Sequence, residues 1–103
     1  MYQDFIAERI AQLRLNMGVS ARDMSLTMGQ ADNYINYIEN KKGLPSMASF
    51  FYICEYLKVT PQEFFDAGNK NPEHLNDIIT DLKKLDYKEL ANIAGVIKDI
   101  ANK

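Results

Sequence analysis

One cysteine, one histidine, three prolines and no tryptophan stand in these 103 residues, and the shortages exclude whole classes of chemistry. A lone Cys54 permits no intramolecular disulfide, and with His74 as the only histidine no stretch has metal-ligand spacing. Neither a metal nor a cofactor is expected. Cys54 sits in an apolar stretch without cationic neighbours, so it reads as a small core residue and not as a reactive thiol. His74 falls just inside a helix start and reads as a surface residue. No acid–base pair, phosphate-cradling glycine loop or nucleophile elbow occurs. No catalytic residue is therefore expected, the chain is not read as an enzyme, and no small-molecule ligand is evident.

Long apolar runs are also missing. Nothing approaches the ~18 uninterrupted apolar residues of a membrane span. The opening MYQDFIAERIAQLR carries charges throughout, unlike the apolar centre of a signal peptide. A cytoplasmic protein without membrane contact is the expectation. An excess of positive charge is absent as well, with 12 Lys/Arg against 14 Asp/Glu and a net charge of −2. Residues 1–65 repeat the pattern: Arg9, Arg14, Arg22, Lys41, Lys42 and Lys58 face seven carboxylates. Nucleic-acid domains are usually basic, so DNA contact here has to come from the arrangement of charge and not from its sum.

What is present is helical periodicity. Hydrophobic residues make up 47% and charged residues 25%, enough for a real core. Ile6, Ile10, Leu13 and Met17 mark an amphipathic helix, which Gly18 stops. Ser20 caps a second helix carrying Met24 and Met28 and ending at Gly29. A third is expected from about Asp32 to Asn40, with Ile35 and Ile38 inward, before a loop over Lys41-Lys42-Gly43-Leu44-Pro45. Ser46 opens a fourth with Met47, Phe50, Phe51, Ile53, Cys54 and Leu57. Thr60-Pro61-Gln62-Glu63 starts a short fifth ending in Phe64 and Phe65. The methionines Met17, Met24, Met28 and Met47 are expected in the core. Residues 67–71 read as a polar linker. Asn71-Pro72-Glu73 and the capping box at Asp86-Glu89 then open two more helices, with Leu75, Ile78, Ile79, Leu82 and Leu85 on one and Leu90, Ile93, Ile97 and Ile100 on the other. Almost no loop joins them, which makes a helical hairpin. Strand signals and internal repeats are absent.

The informative stretch is SARDMSLTMGQADNYINYIEN, residues 20–40. It reads as two short helices broken at Gly29, with Ser25 small where the pair packs closely. One face of the third helix, carrying Asp32, Asn33, Asn36 and Tyr37, is left free. Such a face fits a major groove about 12 Å wide.

In IAERIAQLR, VSARDMSLTMG, YINYIENKKGLPSM and FFYICEYLKVTPQEFF, in that order and spacing, residues 6–65 resemble the Cro/C1-type (xenobiotic-response-element) helix-turn-helix family. The resemblance implies an all-α fold: a five-helix, lambda-repressor-like DNA-binding domain over residues 1–66, here followed by the hairpin at 72–103. It implies double-stranded DNA as partner and a role in transcription, here expected to be repression by a homodimer. It places Asp32, Asn33 and Tyr37 at base edges, with Asn36 on the same face, and Ser20, Asn40, Lys41 and Lys42 near phosphates; Arg22 extends that basic side. It pairs Arg14 with Glu39 as an ion pair between the first and third helices, for which a plain surface pair is the alternative. Lys41-Lys42 could equally be a solvated turn, Tyr34 a packing residue, and Tyr37 a protein-contact residue. The sequence departs from the family at Ala21, usually glutamine; at Ala31, usually a Ser or Thr cap; and at Asp32, often Arg, Gln or Lys. The second functional reading is therefore a helix-turn-helix fold that binds protein, with weak or lost DNA affinity. The hairpin's unspent apolar stripes point to residues 72–102 as the dimerisation element; the competing reading is that the hairpin folds back onto Phe64, Phe65 and the fourth helix and leaves a monomer.

Overall fold

The computed structural model describes Tyr2 to Asn102; the expected domain ends at residues 1 and 103 lie outside the described residues. Seven helices follow in order: α1 (Tyr2–Met17), α2 (Ala21–Thr27), α3 (Tyr34–Glu39), α4 (Met47–Tyr56), α5 (Pro61–Phe65), α6 (Pro72–Leu82) and α7 (Tyr87–Ala101). Helix accounts for 69%, with no strand among the described residues. The chain divides into two units, residues 1–72 and 73–103.

Local chemistry sets the helix starts. The side chains of Ser20, Ser46, Thr60 and Asp86 accept hydrogen bonds from the backbone N–H three residues on, and Thr60 and Asp86 form full capping boxes with Glu63 and Glu89. The first four helices also end alike, each with a left-handed residue just past the last turn: Gly18 (φ 73°), Gly29 (φ 75°), Lys41 (φ 64°) and Lys58 (φ 59°). The next N–H then turns back to the helix, from Val19 to Arg14 O, Gln30 to Ser25 O, Lys42 to Tyr37 O and Val59 to Cys54 O. Two of the four stops are lysines, which pay a steric cost of roughly 1–2 kcal/mol that glycine avoids.

The core of the first unit gathers Ile10 and Leu13 from α1, Met24 from α2, Ile35 and Ile38 from α3, Phe50, Ile53 and Cys54 from α4, Leu57 and Val59 beyond it, and Phe64 from α5. Burial pushes the Cys54 thiol up to about 11, in keeping with a core role. Met24 is fully buried and Met17 and Met28 pack at the edge of the core, but Met47 is 69% exposed. Its expected core role fails because it is the first residue of α4, beyond the packed part of the helix, where it edges an open apolar depression. Phe51 and Phe65 are also more than half exposed. Phe65 still stacks on Phe5 at 5.9 Å between ring centroids, while Phe64 meets Phe50 edge-on at 5.0 Å. Between α1, the α3–α4 loop, α4 and α5 lies an open apolar depression of about 510 Å³, floored by Phe50 and edged by Leu44, Met47, Phe51 and Phe65.

A second stripe on α1, one position away from the apolar one, fastens the end of the unit. Arg9 is 3% exposed. Its guanidinium donates to the carbonyls of Phe64 (2.6 Å), Glu63 (2.7 Å), Asn69 (2.9 Å) and Asp66 (3.0 Å), and to Gln12 Oε1 (2.6 Å). Asn16 donates to Lys70 O at 2.6 Å, and Pro72 is buried. Residues 67–71 are thus not a free linker: two of their carbonyls are held by α1, and the division of the chain falls after Pro72. Burial lowers the Arg9 pKa from its usual value, opposed by the charge of Asp66, but a guanidinium stays protonated.

In the second unit no residue of α7 is buried, and Leu75, Ile78, Ile79, Leu90, Ile93, Ile97 and Ile100 are all exposed.

The Arg9 fan yields a direct test. Lysine carries a compact ammonium with three donors and cannot span four carbonyls. Arg9→Lys is expected to lower stability by about 2–4 kcal/mol, measured as a fall in denaturant midpoint at constant slope. A loss within experimental error would show that water serves those carbonyls equally well.

Candidate nucleic-acid interface

α3 is six residues long, too short to hold itself together in water. Its position is imposed by contacts at both ends and along one side. On the inner side Ile35 and Ile38 enter the core, at 0% and 2% exposure. At the C-terminal end Glu39 receives a two-pronged ion pair from α1: Arg14 Nε to Oε2 at 2.8 Å and Arg14 Nη2 to Oε1 at 2.9 Å. The remaining arm of Arg14 donates to Val19 O at 2.9 Å. Both side chains are largely buried, at 14% and 12% exposure, and the hydrogen bonds to Glu39 raise the Arg14 pKa further against desolvation. A paired, planar fork of this kind fixes orientation as well as distance.

The N-terminal end is held in a way that the sequence did not announce. Asn33, at the capping position, makes no side-chain cap. The cap comes from the preceding helix: the buried Ser25 hydroxyl donates to Ala21 O at 2.7 Å and accepts from Ile35 N–H at 2.9 Å. Ser25 therefore does more than leave room. It satisfies a helix-end N–H that Ala31 and Asn33 leave open, and fixes the angle between α2 and α3.

With three sides secured, the fourth is free. Asp32, Asn33, Asn36 and Tyr37 are all exposed, and so are Ser20, Arg22, Asn40, Lys41 and Lys42. α3 begins at Tyr34, so Asp32 and Asn33 stand in the turn before it and not in its first turn. Tyr34 is half-buried and packs on the core. The Ser20 hydroxyl is engaged as the α2 cap. Asp32 pairs with Arg22 at 3.0 Å, on a bridge where the two side chains are 67% and 55% exposed. The Lys41 ammonium is turned to the start of α1, 3.3 Å from Asp4 and 3.8 Å from Glu8. The hydrogen bond and charge of Lys41 hold the Asp4 carboxyl below its ordinary value. Among the described residues Lys42, which is exposed, makes no ion pair.

A family model described as a helix-turn-helix matches residues 10–64, a span that includes both short helices and their Gly29 turn. The chain belongs to the Cro/C1-type helix-turn-helix family. It is on that footing a DNA-binding, transcription-regulating helix-turn-helix protein. Neither a curated protein nor a solved structure gives a match. No helix is long and apolar enough to cross a membrane among the described residues, and none of their His, Cys, Asp or Glu side chains cluster to hold a metal.

Removing the Ser25 hydroxyl leaves the Ile35 N–H without its acceptor in a buried position. Ser25→Ala is expected to cost about 1–3 kcal/mol, and amide exchange at Ile35 should accelerate more than exchange at core amides of α4. Uniform acceleration across the domain would mean that the hydroxyl stabilises the whole and does not hold α3 in particular.

Proposed function

We propose that this member of the family is a cytoplasmic, sequence-specific regulator, acting as a repressor on a palindromic operator in homodimeric form, without cofactor and without enzymatic activity. The observation that carries the DNA part is the division of α3 into two faces. Ile35, Ile38 and Glu39 are locked to the body, while Asn33, Asn36 and Tyr37 face solvent at the helix-turn-helix edge. Amide side chains suit adenine edges, and a tyrosine ring suits the thymine methyl. No Arg or Lys occupies a reading position, so half-sites leaning to A·T follow.

Ser20, Arg22, Asn40, Lys41 and Lys42 would meet the phosphate backbone, Arg22 once it has left Asp32. A second reading, a helix-turn-helix fold turned to protein binding, is favoured by one observation. Two of the three cations on this edge already have carboxylate partners, Arg22 with Asp32 and Lys41 with Asp4 and Glu8. Exposed pairs are worth under about 1 kcal/mol, so phosphates can still displace them.

The two readings separate by salt dependence. Lys42 alone in both subunits gives a log-affinity against log-salt slope near −2, and all three cations give about −5. The parent is expected between these limits, and Asp32→Asn should steepen the slope by roughly one unit per subunit as Arg22 is released. A slope near zero on random duplex would remove the DNA reading and leave the protein-binding one.

The homodimer rests on the second unit. Leu90, Ile93, Ile97 and Ile100 form a stripe on α7 of which nothing is buried, and exposed apolar stripes on paired helices are usually covered by a partner. A second copy, covering it with the same stripe, would make a small bundle that sets two α3 helices about 34 Å apart, one turn of DNA. Ile93→Asp combined with Ile97→Asp should sediment as a monomer with its N-terminal unit still folded, and operator affinity should drop. A parent chain that is itself monomeric at tens of micromolar would defeat the homodimer.

A further inference from the structure

Tyr37 is the largest side chain on the reading edge, and it is 49% exposed. Its ring lies against the loop after α3, at Gly43. A Cβ built on Gly43 would lie 2.5 Å from Tyr37 Cε1, 3.1 Å from its hydroxyl oxygen and 3.2 Å from Cζ. The ring therefore rests on the space where any other residue would carry its side chain. Gly43 has an ordinary backbone conformation among residues where left-handed ones stand out, so glycine is not needed there for the turn itself. The loop path is secured independently, by the Lys42 N–H on Tyr37 O at 3.1 Å and by the Lys41 ammonium on Asp4. The three atoms nearest to a methyl added at position 43 all belong to the far end of one flexible side chain. The loop would stay, and the ring would leave.

We propose that Gly43 is a positioning residue for DNA reading: by lacking a side chain it lets the Tyr37 ring lie on the α3–α4 loop, and this fixes which base the free edge of the ring meets. The inference deepens the DNA reading above and rests on it. A tyrosine has two side-chain torsions, and staggered alternatives lie close in energy on an open helix face. Resting on the loop selects one of them before DNA arrives, so the ordering cost falls outside the binding step.

The test uses the full chain and a random duplex library, from which wild type, Tyr37→Ala, Gly43→Ala and the double variant each select their preferred sites. Gly43→Ala is expected to melt with wild type and to lose the same base preference that Tyr37→Ala loses, by about fivefold or more at that position. The double variant should be no worse than Tyr37→Ala alone. In the absence of DNA, the Gly43 Hα resonance should carry a ring-current shift that Tyr37→Ala abolishes. Four outcomes would overturn the proposal. If wild type selects no site at all, the DNA reading falls and takes the inference with it. If Tyr37→Ala leaves the selected sites unchanged, the base-reading role of Tyr37 is wrong. If Tyr37→Ala changes them and Gly43→Ala does not, reading stands and positioning fails. If Gly43→Ala unfolds the chain, position 43 serves the fold and not the ring.

Discussion

A guanidinium sits out of water between α1 and the end of α5, and its geometry fixes the frame of the first unit. Arg9 reaches four backbone carbonyls from residues 63 to 69 and one side-chain amide. Two of those carbonyls, Glu63 and Phe64, belong to the last turn of a five-residue helix, whose end groups lack partners within the helix. Removing the arginine would leave them facing a buried space, and removing the carbonyls would leave a charge there. Each side is tolerable only because the other is present, which makes the contact a constraint on the whole path from α5 to Pro72.

The same helix carries the second constraint. One turn beyond Arg9, Arg14 holds Glu39 at the far end of α3. α1 thus works as a strut with one guanidinium at its middle, on the segment that follows α5, and one in its last turn, on α3. The serine cap from α2 completes the mounting. A helix of six residues presents a defined face because its neighbours leave it no other orientation, and a defined face is what base reading requires.

Electrostatics on that face are restrained. Carboxylates at Asp4, Glu8 and Asp32 sit against Lys41 and Arg22. Of the twelve Lys and Arg residues of this acidic chain, Arg22, Lys41 and Lys42 stand beside α3, and two of these three are paired with carboxylates.

The element pattern was legible because its signals are local. Serine, threonine and aspartate caps, the glycines at 18 and 29, and apolar residues at helical spacing act within a few residues of themselves, and the family's order of motifs added the fold. Other features were hidden because their meaning lies in what sits opposite. Arg9 reads as one more charge on an amphipathic helix until Phe5, Gln12 and Asn16 are seen to share its side and α5 is seen to cover it. Lys41 and Lys58 give no hint of left-handed backbone, since only the bend of the chain demands it. Met47 looked like core because spacing cannot tell the first residue of a helix that the core lies behind it. Asp32 fell outside α3, and Ser25 became its cap, through a contact across ten residues. By itself the sequence determined which segments are helical, where most begin, and which family they compose, because those depend on short-range hydrogen bonds and periodic burial. The tertiary structure alone decided how α3 is held, where the cations beside it point and what lies against Gly43, because each of these depends on which side chains the fold brings within reach of one another.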